Sequence, residues 1–110
     1  MKIRQLQSSD IKQVIDLWTS SFSRTFDNPV NNNYLNDPNS ITFVMSDNKA
    51  ILGVASLHII EKLTRKLGLI EDVAVSKNNR GLGIGKKLVE KLIQTGKEKK
   101  CDKIVLSSSE

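Results

Sequence analysis

The chain has 110 residues, 38% of them hydrophobic, and a formal net charge of +5, so we expect one small domain that spans residues 1–110 and has a single core. Its one cysteine, Cys101, excludes an intrachain disulfide framework and, with only one histidine in the chain, argues against a metal site, so a reducing, cytoplasmic setting is expected. No apolar run approaches the roughly 20 residues that cross a bilayer and the start is unlike a signal peptide, so a soluble, internal protein is predicted.

The first half of the chain predicts a strand, a helix and a loop. Lys2–Leu6 has the pattern of a short strand. Asp10 is predicted to start a helix with Gln13 as its capping-box partner. The apolar residues that follow have helical spacing, and Trp18 among them is assigned to the core. The segment Asp27–Ser40 is rich in proline and asparagine, which predicts a long loop of the kind that often walls a substrate site.

The second half predicts three strands joined by short turns and then a strand–helix–strand unit. The strands of this antiparallel meander are Ile41–Met45, Ile51–Ile60 and Leu69–Val75, with turns at Ser46–Lys49 and Leu63–Gly68. Gly53 predicts a bulge, Val73 and Val75 are expected on one face, and His58 is assigned a structural role. The loop Ser76–Leu82, a helix over Gly83–Lys99 and a final strand at Lys103–Ser107 complete a parallel, right-handed crossover.

Positive charge is concentrated in this last unit. Between Lys77 and Lys103 there are nine basic and three acidic residues, whereas the first 76 residues contain eight of each sign. Such a segment suits a phosphorylated ligand or an anionic surface, although most of these lysines fit a solvated helix face. A nucleic-acid-binding domain is the weakest interpretation because no aromatic residue is interleaved with the lysines.

Three alternate glycines, Gly81, Gly83 and Gly85, follow Arg80 between the predicted strand and helix. Glycine permits positive φ and close approach of a ligand, and the first amides of a helix have no partner within the helix. With the helix dipole, these features make an anion site suited to a pyrophosphate. Arg80 adds a fixed charge there, and Lys86 is placed to reach a further phosphate.

Two nucleotide motifs fit this run less well. The phosphate loop of nucleoside triphosphatases fails because three residues, not four, separate Gly81 from Gly85. The dinucleotide fingerprint requires glycine or alanine where Lys86 stands, and it follows its strand at once, whereas Ser76–Asn79 intervenes here. Glu110 lies where its ribose-binding acid would be sought, so the dinucleotide interpretation is weakened but remains open.

Arg80-x-x-Gly83-x-Gly85 resembles the Arg/Gln-x-x-Gly-x-Gly/Ala signature of the GNAT superfamily of N-acetyltransferases. The resemblance implies the acyl-CoA N-acyltransferase fold, an α/β (α+β) domain with a mixed, mostly antiparallel sheet and flanking helices, truncated at its C-terminus after Glu110. The family's thiolate-protonating tyrosine would lie in the missing part, and Tyr34 does not match it. The run from Ile70 to Val75 and the later Cys101-x-Lys103-Ile104-x-Leu106 are similar to glucosamine-6-phosphate N-acetyltransferases.

The resemblance also implies roles for individual residues. Acetyl-CoA would be the cosubstrate and a primary amine, such as that of glucosamine 6-phosphate, the acceptor. Glu71 would be the catalytic base and would bind the amine with Asp72, in a strand that splays near Val73 to free amides for the thioester. The expected cofactor-binding residues are Val73, Ala74 and Val75 for the pantetheine arm and Arg80, Gly81, Leu82, Gly83, Ile84, Gly85 and Lys86 for the pyrophosphate.

Two questions stay open at this point. Glu71 would alternatively be a surface acid paired with Arg65 or Lys66, and the chain would alternatively be a non-catalytic module that binds CoA or a nucleotide. A homodimer is expected, because the final strand, Lys103–Ser107, offers an open edge that a second copy would cover.

Overall fold

A computed structural model describes residues 1–107, in which a five-stranded sheet carries one helix on each face. The strands lie in chain order, antiparallel except for the last pair, which is parallel. The predicted fold class, the meander and the parallel crossover strand are thus confirmed. The elements are β1 (Lys2–Gln5), α1 (Ile11–Phe22), β2 (Ser40–Asp47), β3 (Ala50–Glu61), β4 (Lys66–Val75), α2 (Ile84–Glu98) and β5 (Lys103–Leu106), with short 3-10 turns at Ser8–Asp10, Tyr34–Asn36 and Lys77–Asn79.

The two faces of the sheet carry separate apolar clusters. On one face, Val14 and Leu17 of α1 are buried against β2, β3 and β4. On the other, Ile84, Leu88 and Leu92 of α2 are buried against the same strands. The helical spacing of these residues places each row on the side of its helix that faces the sheet. Val14, Leu88 and Leu92 belong to the apolar rows that the sequence predicted, whereas Leu17 and Ile84 were not assigned to them.

The helix start at Asp10 is stabilised by a partner other than Gln13. Both carboxylate oxygens of Asp10 accept hydrogen bonds from the Arg4 guanidinium, at 2.7 and 2.9 Å, and one also accepts the amide of Gln7 at 2.8 Å. Gln13 instead donates to the carbonyl of Lys49 and accepts the amide of Ile51. The predicted capping box was wrong because Gln13 bonds to the β2–β3 turn and to β3, whereas Asp10 bonds to Arg4 of β1 and to the Gln7 amide just before it.

The strand β4 begins three residues earlier than predicted. Lys66 and Asp102 form a reciprocal pair: the Lys66 amide donates to the Asp102 carboxylate at 2.7 Å, and the Asp102 amide donates to the Lys66 carbonyl at 2.8 Å. This pairing aligns β4 with the start of β5 and confines the turn to residues 62–65. Gly68 therefore lies inside a strand rather than in the predicted turn.

In the part of the chain described, no helix is long and apolar enough to span a membrane.

Candidate active site

The strand β4 contains one residue more than the stretch of β3 that it pairs with. Between the paired positions Glu71 and Ala74, β4 has two residues, Asp72 and Val73, where β3 has one. Asp72 adopts a left-handed conformation with φ 58°, which is uncommon for a non-glycine residue. The predicted opening of the strand near Val73 therefore takes the form of a β-bulge.

The bulge changes which way the following side chains point. Ile70 faces α2, and because of the extra residue Val73 and Val75 also face α2 rather than α1. Ala74 is buried against α1 instead. Val73 and Val75 share one face, as predicted for residues two apart, and the extra residue Asp72 is the reason why that face is the α2 side.

On the α2 side, and reaching the last turn of α1, a groove of about 720 Å³ opens beyond the end of the described β4–β5 pairing. The register of β4 with β5 ends at the pair Ile70–Leu106, and the last described contact is the Ser107 amide donating to the Ile70 carbonyl at 2.9 Å. Beyond it, within residues 1–107, β4 has no partner on this edge. The groove is lined by Val73, Ala74, Val75, Arg80, Gly85, Lys86, Val89 and Glu90, with Ser21 and Phe22 from α1, Leu106 from β5 and Ser107 just after it.

The glycine loop brings the start of α2 to the mouth of this α2-side groove. Gly81 and Gly83 have φ of 85° and 77°, and a Cβ built on either would meet no atom within 4 Å. Their positive φ requires glycine, while the space around them is open to a ligand. The first intrahelical bond runs from the Lys87 amide to the Gly83 carbonyl, so the preceding amides of α2 have no acceptor within the helix.

The predicted cofactor residues divide into two groups. Six of them line the groove together: Val73, Ala74, Val75, Arg80, Gly85 and Lys86. The other four form the loop and helix start that lead to it. Among these, the Leu82 side chain is exposed and that of Ile84 is only 2% exposed, packed in the core, so Ile84 would contribute its amide rather than its side chain.

Arg80 is held at the end of β4. Its Nε–H donates to the carbonyl of Val75 at 3.3 Å, and the side chain is largely exposed. With Lys86 in the first turn of α2, it makes the mouth of the groove positive. The positive end of the helix dipole adds to this field, as the sequence predicts for an anion site.

A second, smaller cavity of about 300 Å³ lies on the α1 side of the same bulge. It lies between α1 and the predicted loop. In the structure this loop comprises residues 23–39 and contains one 3-10 turn. Its aromatic and polar walls are Trp18, Phe26, Tyr34, His58 and Asp72. The remaining lining residues are the apolar Leu6, Ile11, Val14, Ile15, Pro29 and Val30 and the polar Asn28 and Asn31.

Hydrogen bonds join the wall of this α1-side cavity to the sheet. The Tyr34 hydroxyl is 2.7 Å from Oγ1 of Thr42, which is 2.8 Å from Oγ of Ser56, and both of these strand residues are buried. His58 packs edge-on against the Tyr34 ring, with centroids 6.1 Å apart. The structural role predicted for His58 agrees with this contact, which nonetheless places the imidazole on the cavity wall.

The two predicted acids occupy different positions. Asp72 lines the α1-side cavity. Glu71 is half-buried on the α1 face of the sheet, in register with Ser56, and lines neither the cavity nor the groove. Among the residues that the structure describes, Glu71 forms no ion pair, so the alternative pairing with Arg65 or Lys66 is not observed.

Trp18 is the cavity residue that sequence reasoning missed. It was assigned to the core and does pack, partly buried, against the core cluster under α1. It also lines the cavity, and its indole N–H donates to the backbone carbonyl of Asp72 at 2.9 Å. The two residues are 54 positions apart, so no local pattern indicates the contact.

Within residues 1–107, no group of three His, Cys, Asp or Glu side chains could hold a metal ion. Glu110, the acid required by the dinucleotide interpretation, lies outside the described residues.

Groove and cavity meet at Asp72 and Val73, so a ligand with an anionic, extended arm and a second small molecule can meet across one peptide group. The fold and this arrangement are those of a transferase domain. The chain belongs to the Acetyltransferase (GNAT) family, whose family model matches residues 10–110. Glucosamine 6-phosphate N-acetyltransferase of Trypanosoma brucei brucei is 46% identical over 63 residues, which cover 54% of this chain and 43% of that relative. The chain therefore matches less than half the length of this curated relative.

Solved structures extend the similarity to the whole described fold. An acetyltransferase from Trypanosoma brucei has a TM-score of 0.82 and 31% identity over 99% of this chain and 83% of its own. Glucosamine-6-phosphate N-acetyltransferase from Arabidopsis thaliana also has a TM-score of 0.82, with 29% identity over 98% of this chain and 82% of its own. The predicted family and fold are thus confirmed.

Proposed function

We propose that this chain transfers the acetyl group of acetyl-CoA to a primary amine and that a phosphorylated amino sugar such as glucosamine 6-phosphate is the first acceptor to test. The observation that carries the proposal is the pair of sites on either side of one bulge in β4. The α2-side groove has a positively charged mouth at Arg80 and Lys86 and an unpaired stretch of β4, which suit CoA. The α1-side cavity opens at Asp72 and has the volume for a small acceptor.

The groove suits a pyrophosphate joined to an extended arm. The free amides at the start of α2, together with Arg80 and Lys86, would hold the two phosphates. The open space at Gly81 and Gly83 lets those phosphates approach the backbone. From there the pantetheine arm would run along the backbone of residues 73–75, which line the groove and have no partner strand on the β5 side among the described residues.

The reaction takes place at the junction of groove and cavity. The neutral amine attacks the acetyl carbonyl carbon and a C–N bond forms. The C–S bond breaks, and the sulfur leaves as a thiolate that takes a proton from water to become the thiol of CoA. The Val73 amide would stabilise the negative charge that develops on the carbonyl oxygen. Asp72 would hold the amine, and Glu71 would accept its proton through a water molecule, since Glu71 does not itself line the cavity.

Acetyl-CoA binding tests the cradle, and Gly83→Asp is the variant of choice. A carboxylate there would meet the phosphates, so calorimetry should show at least a tenfold loss of affinity, the scale expected for charge repulsion and lost amide contacts. Asn48→Asp is a matched control, because Asn48 also has positive φ (56°) and is exposed in the β2–β3 turn. Equal affinity for both variants would contradict the cradle.

Acetyl transfer tests the enzyme. Glucosamine 6-phosphate, glucosamine, polyamines and peptides would be compared as acceptors by thiol release. Glu71→Gln should lower kcat at neutral pH by roughly 10²–10⁴-fold if Glu71 is the base, and an unchanged rate would exclude it. Binding of acetyl-CoA without transfer to any acceptor would favour the non-catalytic CoA-binding module instead.

A homodimer in the cytoplasm completes the proposal. Within residues 1–107, β5 pairs with β4 alone, so its other edge presents unpaired backbone groups that a second copy would cover. The lone cysteine fits a reducing compartment. Sedimentation should show a dimer at micromolar concentration, and a monomer throughout would contradict this part of the proposal.

A further inference from the structure

The contact between Trp18 and Asp72 joins α1 to the bulge of β4. Trp18 is the only tryptophan of the chain, and its indole N–H donates to the Asp72 carbonyl at 2.9 Å. The acceptor is a backbone group of the residue that adopts positive φ. The bond therefore constrains the conformation of the main chain at the point where groove and cavity meet.

The direction of one amide follows from this bond. In a trans peptide the C=O and N–H point to opposite sides, and the structure contains no cis peptide bond within the described residues. Since the Asp72 carbonyl points to α1, the N–H of Val73 in the same peptide points away from α1, toward the α2-side groove that Val73 lines. In the regular register this peptide would be fixed by a neighbouring strand, but Asp72 and Val73 lack partners in the described registers of both β3 and β5.

We propose that Trp18 is a positioning residue that, by holding the Asp72 carbonyl, aims the Val73 amide at the carbonyl oxygen of the bound thioester. This inference rests on the proposed function and adds a residue remote from the family signature to its machinery. Trp18 touches neither phosphate nor thioester in this scheme. Its loss should therefore reduce turnover and leave the affinity for CoA unchanged.

The experiment compares variants that separate the N–H group from the bulk of the side chain. Trp18→Phe keeps an aromatic ring and removes the donor. Because the chain has one tryptophan, replacement of Trp18 by benzothienylalanine, in which sulfur takes the place of the N–H, also changes a single atom position without altering shape. Leu17→Val is the packing control, because Leu17 is buried beside Trp18 on α1 and has no polar group.

We expect a fall in kcat of about tenfold for both Trp18 variants, less than the 10²–10³-fold typical of deleting an oxyanion donor itself, with the Kd for CoA within about twofold of wild type. Leu17→Val should lower Tm and leave kcat unchanged at temperatures well below it. A readout independent of activity is the amide signal of Val73 in a ¹⁵N–¹H spectrum. In the wild type, acetyl-CoA and CoA should change the chemical shift of the Val73 amide by different amounts. In the benzothienylalanine protein, the two ligands should change it by the same amount.

The outcomes distinguish this proposal from the one on which it rests. Wild-type kcat and a wild-type difference at the Val73 amide in the benzothienylalanine protein would overturn the role of Trp18 and leave acetyl transfer intact. Equal losses of kcat in Leu17→Val and Trp18→Phe would also overturn it, because packing alone would then account for the effect. A wild-type protein that does not bind acetyl-CoA would refute the proposed function and this inference together.

Discussion

Replacing Gly53 by alanine would place a methyl group between β3 and the first turn of α2. An ideal Cβ at residue 53 lies 2.7 Å from Cγ2 of Ile84 and 3.2 Å from Cδ1 of Leu88, and both side chains are buried. Overpacking of this kind costs about 1–3 kcal/mol. Alanine also lowers the conformational entropy of the unfolded chain, which stabilises the folded protein by about 0.4–1 kcal/mol. We therefore expect Gly53→Ala to lower the free energy of unfolding by about 1–2 kcal/mol, taking the middle of these ranges.

Thermal unfolding followed by circular dichroism measures this effect. For a domain near this size, 1 kcal/mol corresponds to roughly 4–8 °C, so we expect Tm to fall by roughly 5–15 °C. Gly85→Ala is the matched control, because a Cβ at residue 85 meets its nearest neighbour, Val75, at an ordinary 3.5 Å. Gly85 lies within α2, where alanine is favoured by about 1 kcal/mol, so this variant should keep or raise Tm.

The same substitution should weaken acetyl-CoA binding, although Gly53 lines no part of the groove. Ile84 is the first residue of α2, and if the methyl group displaces it, the free amides beside it move as well. A Tm of Gly53→Ala equal to that of the wild type would refute the reasoning, because it would mean that Ile84 and Leu88 repack at no cost. A lowered Tm with unchanged affinity would show instead that the helix start does not move.

Three further predictions concern stability and reactivity. Hydrogen bonds from Arg4 and from the Gln7 amide lower the pKa of Asp10 despite its burial. Because the pKa of Asp10 is higher in the unfolded chain, its stabilising effect is present above pH ~4 and is lost as the pH falls through the folded pKa. The difference in unfolding free energy between the wild type and Asp10→Asn, measured by urea titration, should therefore shrink on acidification, and a growing difference would refute this. Thr42→Val leaves Ser56 without its buried hydroxyl partner and should cost about 1–3 kcal/mol by the same titration, whereas a neutral result would mean that the hydroxyls find other partners. Burial raises the pKa of the Cys101 thiol, so at neutral pH the folded protein should react with iodoacetamide more slowly than the urea-unfolded protein, and equal rates would contradict this.

Local patterns were sufficient for most of the fold. The apolar spacing of α1 and α2 and the alternation of the strands depend on neighbours in sequence, and these elements were predicted within a few residues. Gly53 shows where such patterns lose precision: the predicted bulge lies at Leu52, because Met45 pairs with Gly53 and the next register pair uses Ile51. The glycine itself is required by the close approach of α2, which no strand pattern reveals.

Long-range contacts account for what the sequence did not predict. Gln13 bonds to Lys49 and Ile51, which are 36 and 38 residues away, and β4 starts at Lys66 because of Asp102, which is 36 residues away. Trp18 looks like any other apolar residue of an amphipathic helix until the carbonyl of residue 72 is placed beside it. By contrast, the glycines of the proposed anion site lie close together in the chain, so a local motif was enough to single them out.

The extra residue in β4 makes the chain length of that strand as important as its composition. Removing Asp72 by an in-frame deletion would restore regular alternation and move Val73 and Val75 from the α2 side to the α1 side. A substitution at this position leaves the number of residues in β4 unchanged, so most substitutions would be tolerated better than the deletion. A deletion scan through residues 66–75 should therefore show a sharp minimum of fitness at the bulge. Reading-frame-preserving deletions, which exposed turns tolerate, would be strongly selected against at this point of the gene.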